Sequence, residues 1–162
     1  MLERPGLWLS PRFDSRLLGL GPGSVRHLVD ASTRTHAGRA RYAHRTWGAA
    51  WRTAEALRVE EGIDQALLCV VRRSPWWEGG TWVLDADDQP VGHWQGTAVQ
   101  LVRDSQRATV QASVAAGRLW VGGETVVEWS PDGSGTRLTF GPASEGRPFL
   151  RMAGLAVCLA AT

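Results

Sequence analysis

The sequence predicts a mainly β protein in which a closed antiparallel barrel of about twelve strands surrounds one hydrophobic helix at the C-terminus. Three observations lead to this prediction. The chain has 162 residues, 43% of them hydrophobic, which suits one domain with a substantial core. Short segments typical of strands follow one another at intervals of about 8–12 residues, separated by turn signals. The last segment is apolar on every side and rich in helix-forming residues.

The elements follow in order along the chain. Prolines and glycines interrupt the first residues, so we expect an irregular N-terminal arm over 1–24 and a barrel domain over 25–162. The strands are predicted at 25–30, 36–43, 46–52, 56–60, 66–73, 81–86, 91–95, 99–103, 108–114, 118–122, 125–129 and 136–141.

Turn residues support this division into strands. Gly122-Gly123 and Asp132-Gly133 each lie between two alternating apolar segments, which predicts two hairpins. The acidic group Asp85, Asp87 and Asp88 is interpreted as another turn, whose carboxylates accept local backbone N–H bonds. It lacks the further ligands and the bidentate glutamate of a calcium-binding loop.

The final element is a helix predicted at 147–161. It has proline near its start and no charged side chain from Met152 onward, so no face of it suits water. Its apolar part spans about 15 Å, half of a bilayer core, so we expect burial inside the protein and no transmembrane span. A barrel of about twelve strands has a lumen too wide for side chains alone, and the helix would fill it.

A likeness to a known family rests on two stretches of sequence. One is the strand, acidic turn and strand from Trp82 to Gly92, and the other is the last strand at 138–140 with the apolar helix after it. Together they resemble the tubby-like barrel family, which includes phospholipid scramblases and LURP-one-related proteins. The resemblance implies a barrel around a C-terminal helix and a binding or membrane-associated role. The stretch 141–146 holds one carboxylate, Glu145, which departs from the acidic calcium-binding segment of scramblases.

Charge is distributed unevenly along the chain. All 18 basic residues are arginine, and residues 1–54 hold nine of them against only three acidic residues. Such an excess can attract phosphate, lipid head groups or an acidic partner, but the favoured explanation is a solvated strand face that alternates with an apolar one. The N-terminus has no signal-peptide pattern and the two cysteines cannot form a disulfide framework, so we expect a cytoplasmic location, with peripheral attachment to a membrane as a further expectation.

Two groups of residues are candidates for ligand binding. Arg39, Arg41 and Arg45 share one strand face and could hold anionic head groups through paired guanidinium bonds. Between two strands, Arg72 and Arg73 precede a tryptophan pair. Trp76 and Trp77 either meet a membrane interface, or fold back and plug one end of the barrel, which is the favoured interpretation.

No residue pattern indicates catalysis, and no cofactor or metal is expected. His36 and His44 lack a third metal ligand, and Cys69 and Cys158 lie in apolar segments as small buried side chains. Phosphate-binding loops, dinucleotide fingerprints and a serine nucleophile elbow are missing, and no nucleic acid partner is expected.

The sequence therefore favours a non-enzymatic binding module that engages an anionic membrane surface or a protein partner. Two alternatives stay open. The chain could be a structural or assembly subunit that docks through its N-terminal arm and surface tryptophans, or a barrel carrier or enzyme with a ligand in its lumen.

Overall fold

A computed structural model describes residues 1–14, 23–43, 54–75, 77–102 and 109–162. These residues form thirteen strands in one antiparallel sheet, followed by a C-terminal helix. The prediction of a mainly β chain that ends in a helix is confirmed.

The strand order follows the chain, since each strand from β2 to β12 pairs with the next strand in sequence. The elements are β1 (Gly6–Leu9), β2 (Phe13–Asp14), β3 (Ser24–Asp30), β4 (His36–Tyr42), β5 (Ala54–Glu61), β6 (Ala66–Arg73), β7 (Thr81–Asp85), β8 (Pro90–Gln95), β9 (Ala98–Val102), β10 (Thr109–Ala115), β11 (Arg118–Val121), β12 (Glu124–Asp132), β13 (Gly135–Phe140), a 3-10 turn (Pro142–Ser144) and helix α1 (Pro148–Ala161).

Eleven of the predicted strands recur as β3 to β13, with ends that agree within three residues. The strand predicted at 46–52 lies outside the described residues. Both glycine hairpins are confirmed, and Gly122, Gly123 and Gly133 have φ values of 59°, 86° and 60°. Positive φ at these positions gives the hairpin turns a twist that matches the flanking strands.

The prediction of an irregular arm over 1–24 is wrong where β1 and β2 form. Leu7 and Leu9 are completely buried, whereas the indole of Trp8 between them donates to the Asp132 carbonyl oxygen at 3.3 Å. This alternation is the ordinary strand pattern, compressed into four residues between two proline-containing turns. The sequence signal was too short to outweigh the prolines and glycines around it.

Strand β1 pairs on both of its sides. Leu7 lies opposite Leu138 of β13 on one side, and Trp8 lies opposite Val29 of β3 on the other. The short strand β2 pairs with the beginning of β3, where Phe13 lies opposite Val25. The first strand thus joins the last strand of the sheet to a strand from its beginning.

Two arginines hold the segment that leads into β1. Arg4 donates to the carboxylate of Asp30 at 2.7 Å, and Arg151 of α1 donates to the Leu2 carbonyl oxygen at 2.6 Å. Asp30 also accepts bonds from the Ser32 hydroxyl at 2.6 Å and from the backbone N–H groups of Ser32 and Thr33, each at 2.8 Å. The hydrogen bond from the Ser32 hydroxyl, followed by that from the Thr33 N–H group, holds the pKa of Asp30 well below its usual range.

Helix α1 is buried along most of its length, from Leu150 to Leu159 apart from a half-buried Arg151. Its side chains contact β6, β8, β12 and β13, which come from separate parts of the sheet. Gly154 lies close to β12, because a Cβ atom there would stand 2.7 Å from a methyl group of Val127. The apolar helix and the inner faces of the strands form a common hydrophobic core.

Substitution of Leu155 tests how much this core contributes to stability, because the Leu155 side chain is completely buried in the middle of α1. We expect Leu155→Ala to lower the free energy of unfolding by about 3 kcal/mol, through lost burial and the cavity that remains. Phe149→Ala, at a partly exposed position on the same helix, should cost less than about 1 kcal/mol. Urea denaturation of both variants gives the comparison, and equal losses would contradict the burial of α1.

The lowered pKa of Asp30 predicts a pH dependence of stability. A carboxylate with a lowered folded-state pKa stabilises the fold at pH values above its unfolded pKa, and this contribution declines as the pH falls below about 4. We therefore expect wild type to be more stable than Asp30→Asn near neutral pH, with a difference that shrinks in acid. Asp132→Asn, at a half-buried position where the carboxylate pairs with Arg137, is the control. A difference between wild type and Asp30→Asn that does not change with pH would contradict the prediction.

Candidate functional site

The arginines predicted on β4 lie on the outer face of the sheet, away from α1. Alternate residues of the strand face inward: Ala40 is completely buried, and the Tyr42 hydroxyl donates to the Leu159 carbonyl oxygen of the helix at 3.0 Å. Arg39 and Arg41 therefore share the opposite face, as predicted. Arg45 lies outside the described residues.

A carboxylate that the sequence analysis did not include occupies the space between these two arginines. Glu60 of β5 lies opposite Arg39 in the sheet register, and its side chain is only 10% exposed. The Arg39 Nε atom donates to Glu60, and another guanidinium nitrogen of Arg39 donates to Gln65. The Nε atom of Arg41 is 3.4 Å from the same carboxylate. Arg39 is therefore already paired within the protein.

Arg72 is also paired. Two of its guanidinium nitrogens contact the carboxylate of Asp88 at 2.8 and 3.1 Å. Asp88 belongs to the turn after β7, where Asp85 accepts the backbone N–H groups of Asp87 and Gln89, each at 2.9 Å. The interpretation of these aspartates as a turn is confirmed. Arg72 therefore stabilises this turn through its ion pair with Asp88.

Arg73 and Trp77 remain at the surface where β6 ends. Arg73 is exposed and forms no ion pair with the described residues. The Trp77 side chain is 57% exposed, so the expectation that it plugs one end of a barrel is wrong. Backbone bonds from Glu78 and Gly79 to the Pro75 carbonyl oxygen, both 3.1 Å, fold the connection into a turn that presents Trp77 outward. Trp76 lies outside the described residues.

A second exposed aromatic side chain lies at the same end of the sheet. Phe13 of β2 is 46% exposed and follows Arg12, whose guanidinium group stacks over the Tyr42 ring at 4.0 Å. Tyr42 of β4 pairs with Leu57 of β5, and Leu57 pairs in turn with Val71 of β6. The last residues of β4 and β6 therefore lie at the same end of the sheet, with β5 between them. This end therefore combines exposed aromatic rings with arginines, and we refer to Arg12, Phe13, Arg73 and Trp77 as the aromatic end.

The histidines and cysteines among the described residues form no recognisable reactive centre, and His44 lies outside those residues. The His27 and His36 rings are 5.9 Å apart, and burial, followed by the charges of His36 and Arg39, lowers the pKa of His27. Burial raises the pKa of both Cys69 and Cys158 to about 12, which suits the small buried side chains predicted for them. Among the described residues, no group of three or more His, Cys, Asp and Glu side chains could hold a metal ion.

Arg26 is a buried charge that the sequence analysis missed. It shares the inner face of β3 with Leu28 and is only 4% exposed. Its three nitrogens donate to the Ser10 carbonyl oxygen at 2.6 Å, the Thr162 hydroxyl at 2.6 Å and the Thr136 hydroxyl at 3.1 Å. Arg26 thus connects the end of β1, the start of β13 and the C-terminal end of α1, where a cation is favoured by the helix dipole. The alternation of Arg26 and Leu28 along β3 was the sequence pattern that could have predicted its inward position.

Comparison with known proteins gives no relative. No family model, no curated protein and no solved structure matches this chain. Within the described ranges, no helix has the length and apolar character needed to cross a membrane.

The buried contacts of Arg26 predict a structural role for it. We expect Arg26→Ala to lower the free energy of unfolding by about 3 kcal/mol, because three hydrogen bonds are lost and a cavity remains. Arg137→Ala removes an exposed arginine that pairs with Asp132 and should cost less than about 1 kcal/mol. Chemical denaturation measures both losses. A small effect of the Arg26 substitution would show that these contacts do not hold the elements together.

Proposed function

We propose that this chain is a non-enzymatic binding module that attaches to an anionic membrane surface through its aromatic end. The observation that carries the proposal is the 57% exposure of Trp77 close to Arg73. Tryptophan favours the interface between water and lipid head groups, and a nearby arginine attracts lipid phosphates. The exposed Phe13 extends the same apolar surface. Arg12 beside it adds positive charge, although one of its guanidinium nitrogens donates to the Leu159 carbonyl oxygen at 3.3 Å.

The proposal includes a closed barrel with α1 inside it. Its support is the pairing of β1 with both β13 and β3. A ring closed through β1, with the side strand β2 set aside, would contain twelve strands. An even number of strands is what an all-antiparallel ring requires. The burial of α1 against β6, β8, β12 and β13 gives further support. A likeness to the tubby-like barrel proteins is part of this proposal and rests on the same combination of sheet and helix.

The proposed attachment site, the aromatic end, differs from the row of Arg39, Arg41 and Arg45 that the sequence analysis suggested. Arg39 and Arg72 already contact carboxylates, so they have less capacity for an external head group than Arg73. Membrane attachment would therefore depend on one end of the module rather than on the outer face of β4. A helix packed inside the barrel would also fill the space that a lumen ligand needs, which disfavours a carrier.

Co-sedimentation with vesicles tests the proposal. Wild-type protein should bind vesicles containing about 30% phosphatidylserine and should bind pure phosphatidylcholine vesicles at least about tenfold less well, because the attachment is partly electrostatic. Trp77→Ala and Arg73→Gln should each weaken binding to the anionic vesicles about threefold or more. Trp77 fluorescence alone is unsuitable as a readout because the chain has nine tryptophans.

Ile63→Ala is the matched control. Ile63 is 86% exposed in the turn between β5 and β6, at the opposite end of β6 from Trp77. Its substitution removes exposed apolar surface and should leave vesicle binding unchanged. Equal and negligible binding to both kinds of vesicle would reject membrane attachment, and an equal loss for Ile63→Ala would reject the aromatic end as the contact.

A further inference from the structure

Arg41 makes no hydrogen bond with the described residues. Its Nε atom is buried and lies 3.4 Å from the Glu60 carboxylate, which accepts a bond from the Nε atom of Arg39. The Arg41 side chain as a whole is 38% exposed. Its terminal guanidinium nitrogens are therefore donors that an external acceptor can use.

Another arginine stands directly opposite. Arg58 of β5 is the register partner of Arg41, and both side chains lie on the outer face of the sheet. Side chains opposite each other on paired strands have Cβ atoms about 5 Å apart, and like charges at this distance destabilise the pairing. Within the described residues, Arg58 is bonded only to Glu55, at 3.2 and 3.3 Å, and both of those side chains are well exposed. Such an exposed ion pair competes weakly with a better ligand.

The surroundings keep the local charge positive. Arg39, Arg41 and Arg58 face only two carboxylates, so one positive charge is left over. Val25 and Val70 are the register neighbours of Arg41 and Arg58 on their far sides, and both are buried. Charged groups over buried apolar side chains are less screened by water, so an anion between them is attracted more strongly.

We propose that Arg41 and Arg58 bind a tetrahedral oxyanion, of the phosphate or phosphate monoester class, on the outer face of β4 and β5. Two guanidinium groups on neighbouring strands can each give paired N–H bonds to such a group. The anion would accept bonds from the terminal nitrogens of Arg41 and offset the repulsion between the two arginines. Phe13 shares the register row of Arg41 through Val25, so this phosphate site borders the aromatic end. It includes Arg58, which the sequence analysis did not single out.

Titration calorimetry with inorganic phosphate tests the proposal, with chloride used to keep the ionic strength constant. Wild-type protein should bind one phosphate per chain, and Arg41→Gln and Arg58→Gln should each weaken the affinity about tenfold or more. Arg41→Lys keeps the charge but loses the fork of donors, so it should fall between wild type and Arg41→Gln. Arg118→Gln, at an exposed arginine paired with Glu128, should bind like wild type.

A second set of measurements identifies the source of the phosphate group. Glycerol phosphate should compete with inorganic phosphate if the site takes free monoesters, whereas competition by phosphatidic acid vesicles alone assigns it to a lipid head group. Absence of phosphate binding by wild type, or equal weakening by Arg118→Gln, would overturn the proposal. Because the titration uses soluble phosphate and different residues, its outcome is independent of vesicle binding through Trp77. Thermal unfolding of each variant confirms that it is folded.

Discussion

The fold depends on the need to keep helix α1 out of water. From Met152 to Leu159 every residue of the helix is buried, so no side of it can be left at the surface. A flat sheet can cover only one side of a helix, and the contacts of α1 with β6, β8, β12 and β13 come from distant parts of the strand order. The long, curved sheet and the apolar helix thus stabilise one another, since neither has enough buried surface alone.

Much of the arginine excess has a structural purpose. Arg26 joins the C-terminal end of α1 to β1 and β13, and Arg151 joins its N-terminal end to the Leu2 carbonyl oxygen. Arg4 binds Asp30, and Arg39 binds Glu60. An uneven charge distribution along a sequence is therefore a poor guide to binding until these internal partners are assigned. What stands out afterwards is Arg73 at the surface and Arg41 with its unused donors.

Local patterns predicted most of the strands, the hairpins and the helix, because alternation, glycine turns and an apolar segment are visible within a few residues. Strand β1 was missed because its two inward leucines gain their significance only from the distant strands β3 and β13. The shared face of Arg39 and Arg41 could be predicted from alternation on one strand. Their relation to Glu60 and Arg58 could not, because it depends on the register between β4 and β5, and on an irregularity in β5 beside Val59.

The position of β1 has a consequence for biosynthesis. Its partner β13 is synthesised after the other strands of the sheet, so the pairing of β1 with β13 must wait while those strands have already emerged. Contacts between such distant parts of a chain form slowly, and unpaired strand edges favour aggregation in the meantime. Until β13 is available, the edge of β1 that pairs with it stays open to contacts with other chains.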